Sequence, residues 1–181
     1  RLAVQRELDR VTAAAYEQAG ADIAPSLPPS NDPAAAPAPV GIGLRAYRSA
    51  TRILTPAAPA LLAFRARQGK EDPARRGERL GFASRARPAG QLAWVHAASV
   101  GETMAVLPLL ARLRRARPDL AILLTTGTTT SARIAAERLP EGCLHQYVPL
   151  DMPAVIARFL GHWRPDLIVL TESEIWPNTI V

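Results

Sequence analysis

The chain has 181 residues, of which 48% are hydrophobic and 21% charged. This length and content allow a packed core and exclude a wholly disordered protein. No apolar run approaches the ~20 residues that a membrane-spanning helix needs, and a lone cysteine, Cys143, excludes an internal disulfide. The chain begins with Arg1 and stops at Val181 just after a helix-start signal, so we expect it to be part of a longer protein.

The excess positive charge lies in one block of the sequence. Residues 1–40 hold three arginines and five acids, residues 41–90 hold eleven Lys and Arg and three acids, and residues 91–181 hold eight of each. A localised basic block indicates a local anionic partner, either nucleic acid or an anionic membrane surface. The near-exclusive use of arginine suits phosphate binding, although a GC-rich genome that also favours Ala and Pro explains it more simply.

The first part, residues 1–40, is predicted to be an extension followed by a linker. Apolar residues at helical spacing predict a surface helix between Leu2 and Ala21. Six prolines between Pro25 and Pro39 exclude a regular helix or strand and favour an extended tether. A domain boundary is therefore expected near residue 40.

The second part, residues 41–90, mixes apolar and basic side chains. Between Leu44 and Arg67 the pattern predicts two short amphipathic helices broken near Pro56 and Pro59. An apolar face flanked by arginines is typical of helices that lie in a membrane interface. The alternative is a packed helical hairpin with a solvated basic rim. The polar stretch that follows, punctuated by Gly and Pro, is predicted to be a connector.

The third part, residues 91–181, is predicted to be an α/β domain. Short apolar runs that suit buried strands alternate with helical apolar patterns, which predicts a parallel sheet with helices on both faces. The four runs are Leu92–Ala97, Leu120–Thr126, Leu144–Pro149 and Leu167–Thr171. In such sheets ligands bind beyond the carboxyl ends of the strands, so the loops after the first, second and fourth strands are the candidate sites.

The loop after the first strand contains Ser99, Gly101 and Glu102. Gly101 permits a tight turn, and Glu102 lies in the opening turn of a helix, where the helix dipole stabilises a carboxylate. The spacing of Ser99 and Glu102 also fits a capping box, which is a purely structural role. Because this loop lies at the predicted ligand-binding edge, Glu102 can also act as a general base on a substrate hydroxyl.

The loops after the second and fourth strands offer further polar groups. Thr126, Gly127 and Thr128 open a helix and can cradle an anion or a sugar, although threonine-rich turns are also common helix caps. Glu172 and Glu174 precede Trp176 and Pro177, which suits either substrate hydroxyl binding or a charged helix entry.

The remaining polar candidates are assigned structural roles. His96, at the end of the first strand, is expected to be a hydrogen-bonded structural residue, and Asp151 is expected to cap the helix that begins near Pro153. His145 and His162 show no partner pattern, and no residue is assigned to a metal.

Five motifs, in order, carry a family resemblance: RQGKEDPARRGERLG, WVHAASVGE, TTGTTTS, YVPLDMP and ESEIWPN. Residues 44–181 resemble the amino-terminal, acceptor-side half of the bacterial 3-deoxy-D-manno-octulosonic acid (Kdo) transferases. Residues 1–40 resemble nothing in that family. The resemblance implies a GT-B glycosyltransferase with two Rossmann-like domains facing a cleft, of which residues 91–181 are part of the first.

The resemblance also implies an activity. Family members transfer Kdo from CMP-Kdo to the lipid A precursor (lipid IVA) at the cytoplasmic face of the inner membrane, with inversion and without a metal or another cofactor. The family's general base corresponds to Glu102, its second acceptor-side glutamate to Glu172 or Glu174, and its membrane-associating segment to Arg45–Arg67. The donor site is expected mainly in a carboxyl-terminal domain beyond Val181, so residues 1–181 alone are expected to be inactive.

The sequence also allows three alternatives to this activity. A GT-B transferase that uses another sugar nucleotide would share the sheet and the glutamate, but not the ordered motifs. A non-catalytic, membrane-tethered binding module would tolerate loss of Glu102. A nucleic-acid partner is disfavoured, because the basic block contains no recognised stacking or groove-binding motif.

Overall fold

The computed structural model describes residues 41–171 and 176–180. The predicted helix and linker within residues 1–40 lie outside this range, as do Glu172 and Glu174. Within residues 41–171 and 176–180, no helix is long and apolar enough to cross a membrane.

The described chain begins with helices and continues with alternating strands and helices. The first region comprises α1 (Ile42–Leu54), a 3₁₀ turn (Thr55–Ala57), α2 (Ala58–Arg67), a second 3₁₀ turn (Pro73–Arg75) and α3 (Arg76–Arg79). The alternating region comprises β1 (Leu92–Ala97), α4 (Val100–Ala116), β2 (Ala121–Thr126), α5 (Thr129–Arg138), β3 (Cys143–Tyr147), α6 (Pro153–Trp163), β4 (Leu167–Leu170) and α7 (Pro177–Ile180).

The predicted break between the first two helices is confirmed. Pro56 lies in the 3₁₀ turn, and Pro59 lies in the first turn of α2. A proline is tolerated in a first turn because its missing N–H would have no partner within the helix.

The four strands form one parallel sheet in the order β3-β2-β1-β4, which confirms the predicted α/β class. After β1 the sheet grows in one direction through β2 and β3, and β4 then pairs with the opposite side of β1. The strand order therefore reverses between β1 and β4. In sheets of this kind, a crevice suited to ligand binding lies beyond the carboxyl ends of those two strands.

Helices cover both faces of the sheet, as predicted. Alternate residues of a strand point to opposite sides, and in β1 and β2 both sets include apolar side chains that pack against helices. On one face Val95 and Ile122 pack with Val106 and Leu110 of α4 and with Ala135 of α5. On the other face the core contains side chains from β1, β2 and α6, namely Leu92, Trp94, Leu123, Phe159 and Trp163. Strand β4, at the edge of the sheet, is less buried than β1, and its Ile168 is exposed.

The predicted polar connector is instead a packed, ion-paired segment. Glu71, Glu78 and Arg79 are buried in it. Glu71 forms ion pairs with Arg65 of α2 at 2.8 Å and with Arg79 at 3.2 Å, and the Tyr147 amide at the edge of β3 donates to Glu78 Oε2 at 2.8 Å. Buried charges are tolerated only when they are paired, so this segment fastens α2 and α3 to the sheet.

Candidate functional site

Glu102 lies at the crevice between β1 and β4. It stands in the first turn of α4, the helix that follows β1. Across the crevice, Thr171 directly follows β4, and its hydroxyl oxygen is 2.7 Å from Glu102 Oε2. The structure therefore places the predicted catalytic carboxylate where the strand order reverses.

The hydrogen bonds of Glu102 form the predicted capping box. The Ser99 amide donates to Glu102 Oε1 at 3.0 Å, and the Glu102 amide donates to Ser99 Oγ at 3.2 Å. The Ala98 amide also donates to Glu102 Oε2, at 2.9 Å. The structural role predicted for this pair is confirmed, and Ser99 is the N-cap of α4.

The same contacts determine the charge of Glu102. Partial burial alone would raise its pKa, but the hydrogen bonds from Ser99, Thr171 and the amides of Ala98 and Ser99 together outweigh burial and lower the pKa to about 2. Donors that bind the ionised carboxylate favour that form. Glu102 is therefore a permanent carboxylate near neutral pH, ready to accept a hydrogen bond but weakly basic while all four donors are in place.

The loop after β2 lies directly beside the loop after β1. A Cβ atom at Gly127 would be 3.0 Å from the Ala98 carbonyl oxygen, so a larger residue there would push the two backbones apart by a few tenths of an ångström. Thr128 is the N-cap of α5, and its Oγ1 accepts a hydrogen bond from the Ser131 amide at 3.1 Å. The alternative structural role of this loop, as a helix cap, is thus present.

Thr126 is placed differently from its two neighbours. Its side chain is fully buried, and its Oγ1 lies 2.9 Å from His145 Nε2. Gly101, in contrast, is exposed in the first turn of α4, and a Cβ atom there would have only Ser99 Oγ nearby, at 3.9 Å. Of the catalytic and substrate-binding residues predicted from the sequence, Ser99, Gly101, Glu102, Gly127 and Thr128 therefore gather at the strand ends, whereas the Thr126 hydroxyl points to His145.

A cavity of about 250 Å³ opens beside this group, at the carboxyl ends of β1 and β2. Its polar lining includes Arg79, His96, Thr128 and Asp151, and Trp176 contributes an aromatic ring that is 42% exposed. Apolar and aromatic walls with a few polar groups are typical of small-molecule sites. The cavity is therefore the candidate ligand-binding site.

Three residues of this region, Arg79, Thr171 and Asp151, were not assigned to the candidate site from the sequence. Arg79 donates to the Val148 carbonyl at 2.7 Å, and the Leu150 amide donates to the Arg79 carbonyl at 2.8 Å, so Arg79 holds one wall of the cavity. Thr171 binds Glu102, and Asp151 joins distant segments. The sequence signal near Arg79 was the mixture of acidic and basic residues in the RQGKEDPARRGERLG motif. Within this motif Arg79 forms an ion pair with Glu71, and Arg75 forms one with Glu78.

The expectation for Asp151 was wrong. The N-cap of α6 is Met152, with no side-chain capping bond. Asp151 instead accepts hydrogen bonds from Tyr47 of α1 and from Asn178 and Thr179 of α7. The expectation for His96 is met, because its ring is buried and its Nδ1 lies 3.0 Å from Thr125 Oγ1.

Among residues 41–171 and 176–180, no group of three or more His, Cys, Asp or Glu side chains is placed to hold a metal ion. That finding leaves the expected metal independence a prediction.

An α/β domain with a carboxylate at the strand-order reversal and a cavity of mixed apolar and polar lining nearby is consistent with a Rossmann-like glycosyltransferase domain. Residues 74–181 match the family model described as 3-deoxy-D-manno-octulosonic-acid transferase (Kdo transferase). Because the match covers more than half of the chain, the chain belongs to this family.

Individual relatives agree with this assignment. A probable mitochondrial Kdo transferase of Arabidopsis thaliana is 42% identical over 137 residues, covering 76% of this chain and 31% of the relative. A Kdo transferase of Rickettsia bellii is 36% identical over 137 residues, covering 76% and 33%. One of Haemophilus influenzae is 40% identical over 107 residues, covering 59% and 25%. The chain thus spans a quarter to a third of the length of these three relatives.

Proposed function

We propose that the complete protein is an inverting, metal-independent Kdo transferase of lipopolysaccharide synthesis. Its donor is CMP-Kdo and its acceptor is the lipid A precursor, lipid IVA. The described domain is the acceptor-side half of a GT-B enzyme, and a second domain supplies most of the donor site. The observation that carries the proposal is the position of Glu102 at the β1–β4 crevice in a chain that belongs to the Kdo transferase family.

In the proposed reaction, an acceptor hydroxyl oxygen attacks the anomeric carbon of Kdo. The bond between that carbon and the CMP phosphate oxygen breaks, CMP leaves with the electron pair, and the hydroxyl proton passes to the Glu102 carboxylate. A positioned carboxylate contributes on the order of 10²–10⁴-fold to such a step. The acceptor sugar occupies the cavity beside Gly127 and Thr128, and Glu172 or Glu174 provides a further hydroxyl contact.

The low pKa of Glu102 is compatible with this role because one of its donors can turn away. The Thr171 hydroxyl carries a single proton and has two acceptors, Glu102 Oε2 at 2.7 Å and the His96 carbonyl oxygen at 2.9 Å. When the acceptor hydroxyl donates to Oε2, the Thr171 proton turns to His96. The Glu102 carboxylate then loses the hydrogen bond from Thr171 and gains one from the acceptor hydroxyl, whose proton it takes up during the reaction.

The basic block supports a second part of the proposal, attachment to the cytoplasmic face of the inner membrane. No residue of α1 is buried, and both α1 and α2 expose large apolar side chains. These side chains are Ile42, Ile53, Leu54, Leu61 and Phe64. The same helices carry Arg45, Arg48, Arg52, Arg65 and Arg67. Apolar residues flanked by arginines suit an interface with anionic lipid, the surface that carries the acceptor.

The test is transfer of labelled Kdo from enzymatically generated CMP-Kdo to lipid IVA by the complete protein, with Glu102→Gln as the variant. Glutamine at this position retains the capping box, so α4 still forms, while the proton acceptor is lost. We expect a rate loss on the order of 10²–10⁴-fold. Glu137→Gln, on an exposed position of α5, is the matched control.

The outcomes separate the alternatives. Full activity in Glu102→Gln would exclude Glu102 as the base. Absence of transfer by folded wild type, with lipid binding intact, would favour a tethered binding module, and transfer from a different sugar nucleotide would favour another GT-B activity. The 181-residue chain is assayed in parallel and is expected to be inactive.

A further inference from the structure

Asp151 joins three segments of the chain that are distant in sequence. Its Oδ2 accepts hydrogen bonds from the Tyr47 hydroxyl of α1 at 2.9 Å and from the Asn178 amide of α7 at 3.1 Å. Its Oδ1 accepts one from the Thr179 hydroxyl at 3.1 Å. The Asn178 side-chain amide also donates to the Asp151 carbonyl oxygen at 2.8 Å and to Thr51 of α1 at 3.2 Å.

These polar contacts matter because α1 has little other attachment. None of its residues is buried, so apolar packing holds it weakly. Tyr47 is half-buried, and burial, followed by the hydrogen bond and negative charge of Asp151, raises the pKa of its hydroxyl to about 12. The Tyr47 hydroxyl therefore remains a donor to Asp151 throughout the physiological pH range.

Asp151 is also part of the acceptor-side cavity. It lines that cavity together with Trp176, and Trp176 stands two residues before Asn178. The Thr179 amide donates to the Trp176 carbonyl at 3.0 Å, so the segment from Trp176 to Thr179 is closed into one turn. By holding Asn178 and Thr179, Asp151 fixes the position from which the Trp176 ring reaches the cavity.

We propose that Asp151 is a positioning residue for acceptor binding: it fastens α1 and the Trp176–Thr179 turn to the same wall of the cavity. Loss of this residue would loosen both segments together and leave the sheet intact. The consequence for acceptor binding rests on the proposed function, whereas the consequence for the two segments does not.

The first measurement uses the 181-residue chain and three aspartate variants. Asp151→Ala removes every side-chain acceptor. Asp151→Asn retains an oxygen for Tyr47 and Asn178 and presents its amide group to the Thr179 hydroxyl, which can accept, so it should restore the wild-type properties. Asp119→Ala is the matched control, because Asp119 is exposed and pairs with Arg117 before β2.

Two readouts report on the segments directly. The backbone amide of Asn178 donates to Asp151 Oδ2, so its hydrogen should exchange on the order of tenfold faster in Asp151→Ala. The backbone amides of α1 should also exchange faster, while those of β1 and β2 remain unchanged. Acrylamide quenching of Trp176 should also rise. Trp94 and Trp163 are 1% exposed and contribute little, and Trp176→Phe gives that background.

The complete protein provides the functional readout. We expect Asp151→Ala to raise KM for lipid IVA on the order of tenfold and to change kcat much less, because it disturbs binding and not the Glu102 carboxylate. Asp151→Asn should restore KM. If Asp151→Ala fails to fold, Tyr47→Phe provides the same test of α1, because it removes a single oxygen.

Unchanged Asn178 exchange and unchanged Trp176 quenching in folded Asp151→Ala would overturn the inference. So would a lower kcat with an unchanged KM. If the wild-type protein transfers no Kdo, the proposed function fails, but the exchange and quenching results still decide whether Asp151 positions the two segments.

Discussion

The Thr171 hydroxyl lies 2.7 Å from Glu102 Oε2 and so joins the end of β4 to the first turn of α4 across the crevice. Its oxygen is also 2.9 Å from the His96 carbonyl oxygen at the end of β1. A single proton is therefore shared between a backbone acceptor and the candidate base. This arrangement makes the basicity of Glu102 in α4 depend on Thr171, the residue that directly follows β4.

Thr171→Val should raise the pKa of Glu102. Valine has nearly the same shape but cannot donate, and removal of a donor to the ionised form shifts the pKa from about 2 towards its ordinary 4.5. Carbon-13 NMR titration of the Glu102 carboxyl carbon in the 181-residue chain measures this directly. Thr130→Val, at an exposed position of α5, is the control. An unchanged titration would show that Thr171 donates only to His96.

The two glycines of the candidate site should respond differently to alanine. At Gly127 a new Cβ would be 3.0 Å from the Ala98 carbonyl oxygen, whereas at Gly101 its nearest neighbour would be Ser99 Oγ at 3.9 Å. We expect Gly127→Ala to lower the free energy of unfolding by about 1–3 kcal/mol, and Gly101→Ala to be neutral or slightly stabilising because alanine favours the helix.

Urea denaturation of both variants measures this difference, and activity of the complete protein adds a second readout. Gly127→Ala should reduce transfer, because it separates the loops after β1 and β2. Equal stability of the two variants would show that the backbones can move apart at no cost.

The sheet and its ligand-binding edge could be predicted because they depend on local patterns. The run Leu92–Ala97 is apolar except for His96 and became β1 with the predicted bounds, and Ser99 with Glu102 formed the predicted capping box. β3 ends at Tyr147, two residues before the predicted end, and its chain then turns past Pro149, which cannot donate to a strand ladder.

The roles of Asp151 and Arg79 could not be predicted, because their partners lie far away in sequence. Tyr47 is 104 residues from Asp151, and the Val148 carbonyl is 69 residues from Arg79. Local spacing favoured a helix cap for Asp151 and a polar connector around Arg79. Only the contacts of α1 with α6 and α7, and of α3 with β3, reveal that both residues hold the cavity.

Acid should destabilise the fold through His145. Arg75 Nη2 lies 3.1 Å from His145 Nδ1, which must accept, so the neutral ring donates from Nε2 to Thr126 Oγ1 at 2.9 Å. Burial, then the positive charge of Arg75, lowers the His145 pKa to about 4, against the opposing effect of Glu78. The unfolded chain binds this proton near pH 6.5, so the stability contribution is lost as the pH falls from about 6.5 to about 4.

The measurement is the free energy of unfolding between pH 7.5 and pH 4. Wild type should lose about 3 kcal/mol from this group, and His145→Gln, which is less stable at neutral pH, should show a flatter profile in the same window. His162→Gln, whose ring contacts the Arg85 carbonyl at the surface, is the control. Parallel profiles for wild type and His145→Gln would assign the acid sensitivity to other groups.

The arginines of α1 should govern binding to anionic lipid. Within residues 41–171 and 176–180, none of Arg45, Arg48 and Arg52 takes part in an ion pair, whereas Arg65 and Arg79 pair with Glu71, and Arg75 pairs with Glu78. Three positive charges on α1 are therefore available to a partner, beside those of Arg67, Lys70, Arg76 and Arg85, which form no ion pair within the described residues. Each arginine near an anionic surface contributes about 1 kcal/mol, so replacing all three by Gln should weaken vesicle binding on the order of 100-fold.

Co-sedimentation with vesicles of phosphatidylglycerol and phosphatidylcholine, at low and high salt, measures this effect. Ile53→Ser tests the apolar contribution, since Ile53 is 77% exposed, and it should weaken binding at both salt concentrations, because apolar burial is not screened. Arg112→Gln, an exposed arginine of α4, is the matched control. Tighter binding to duplex DNA than to vesicles, lost in the triple variant but retained in Ile53→Ser, would assign the basic face to nucleic acid instead.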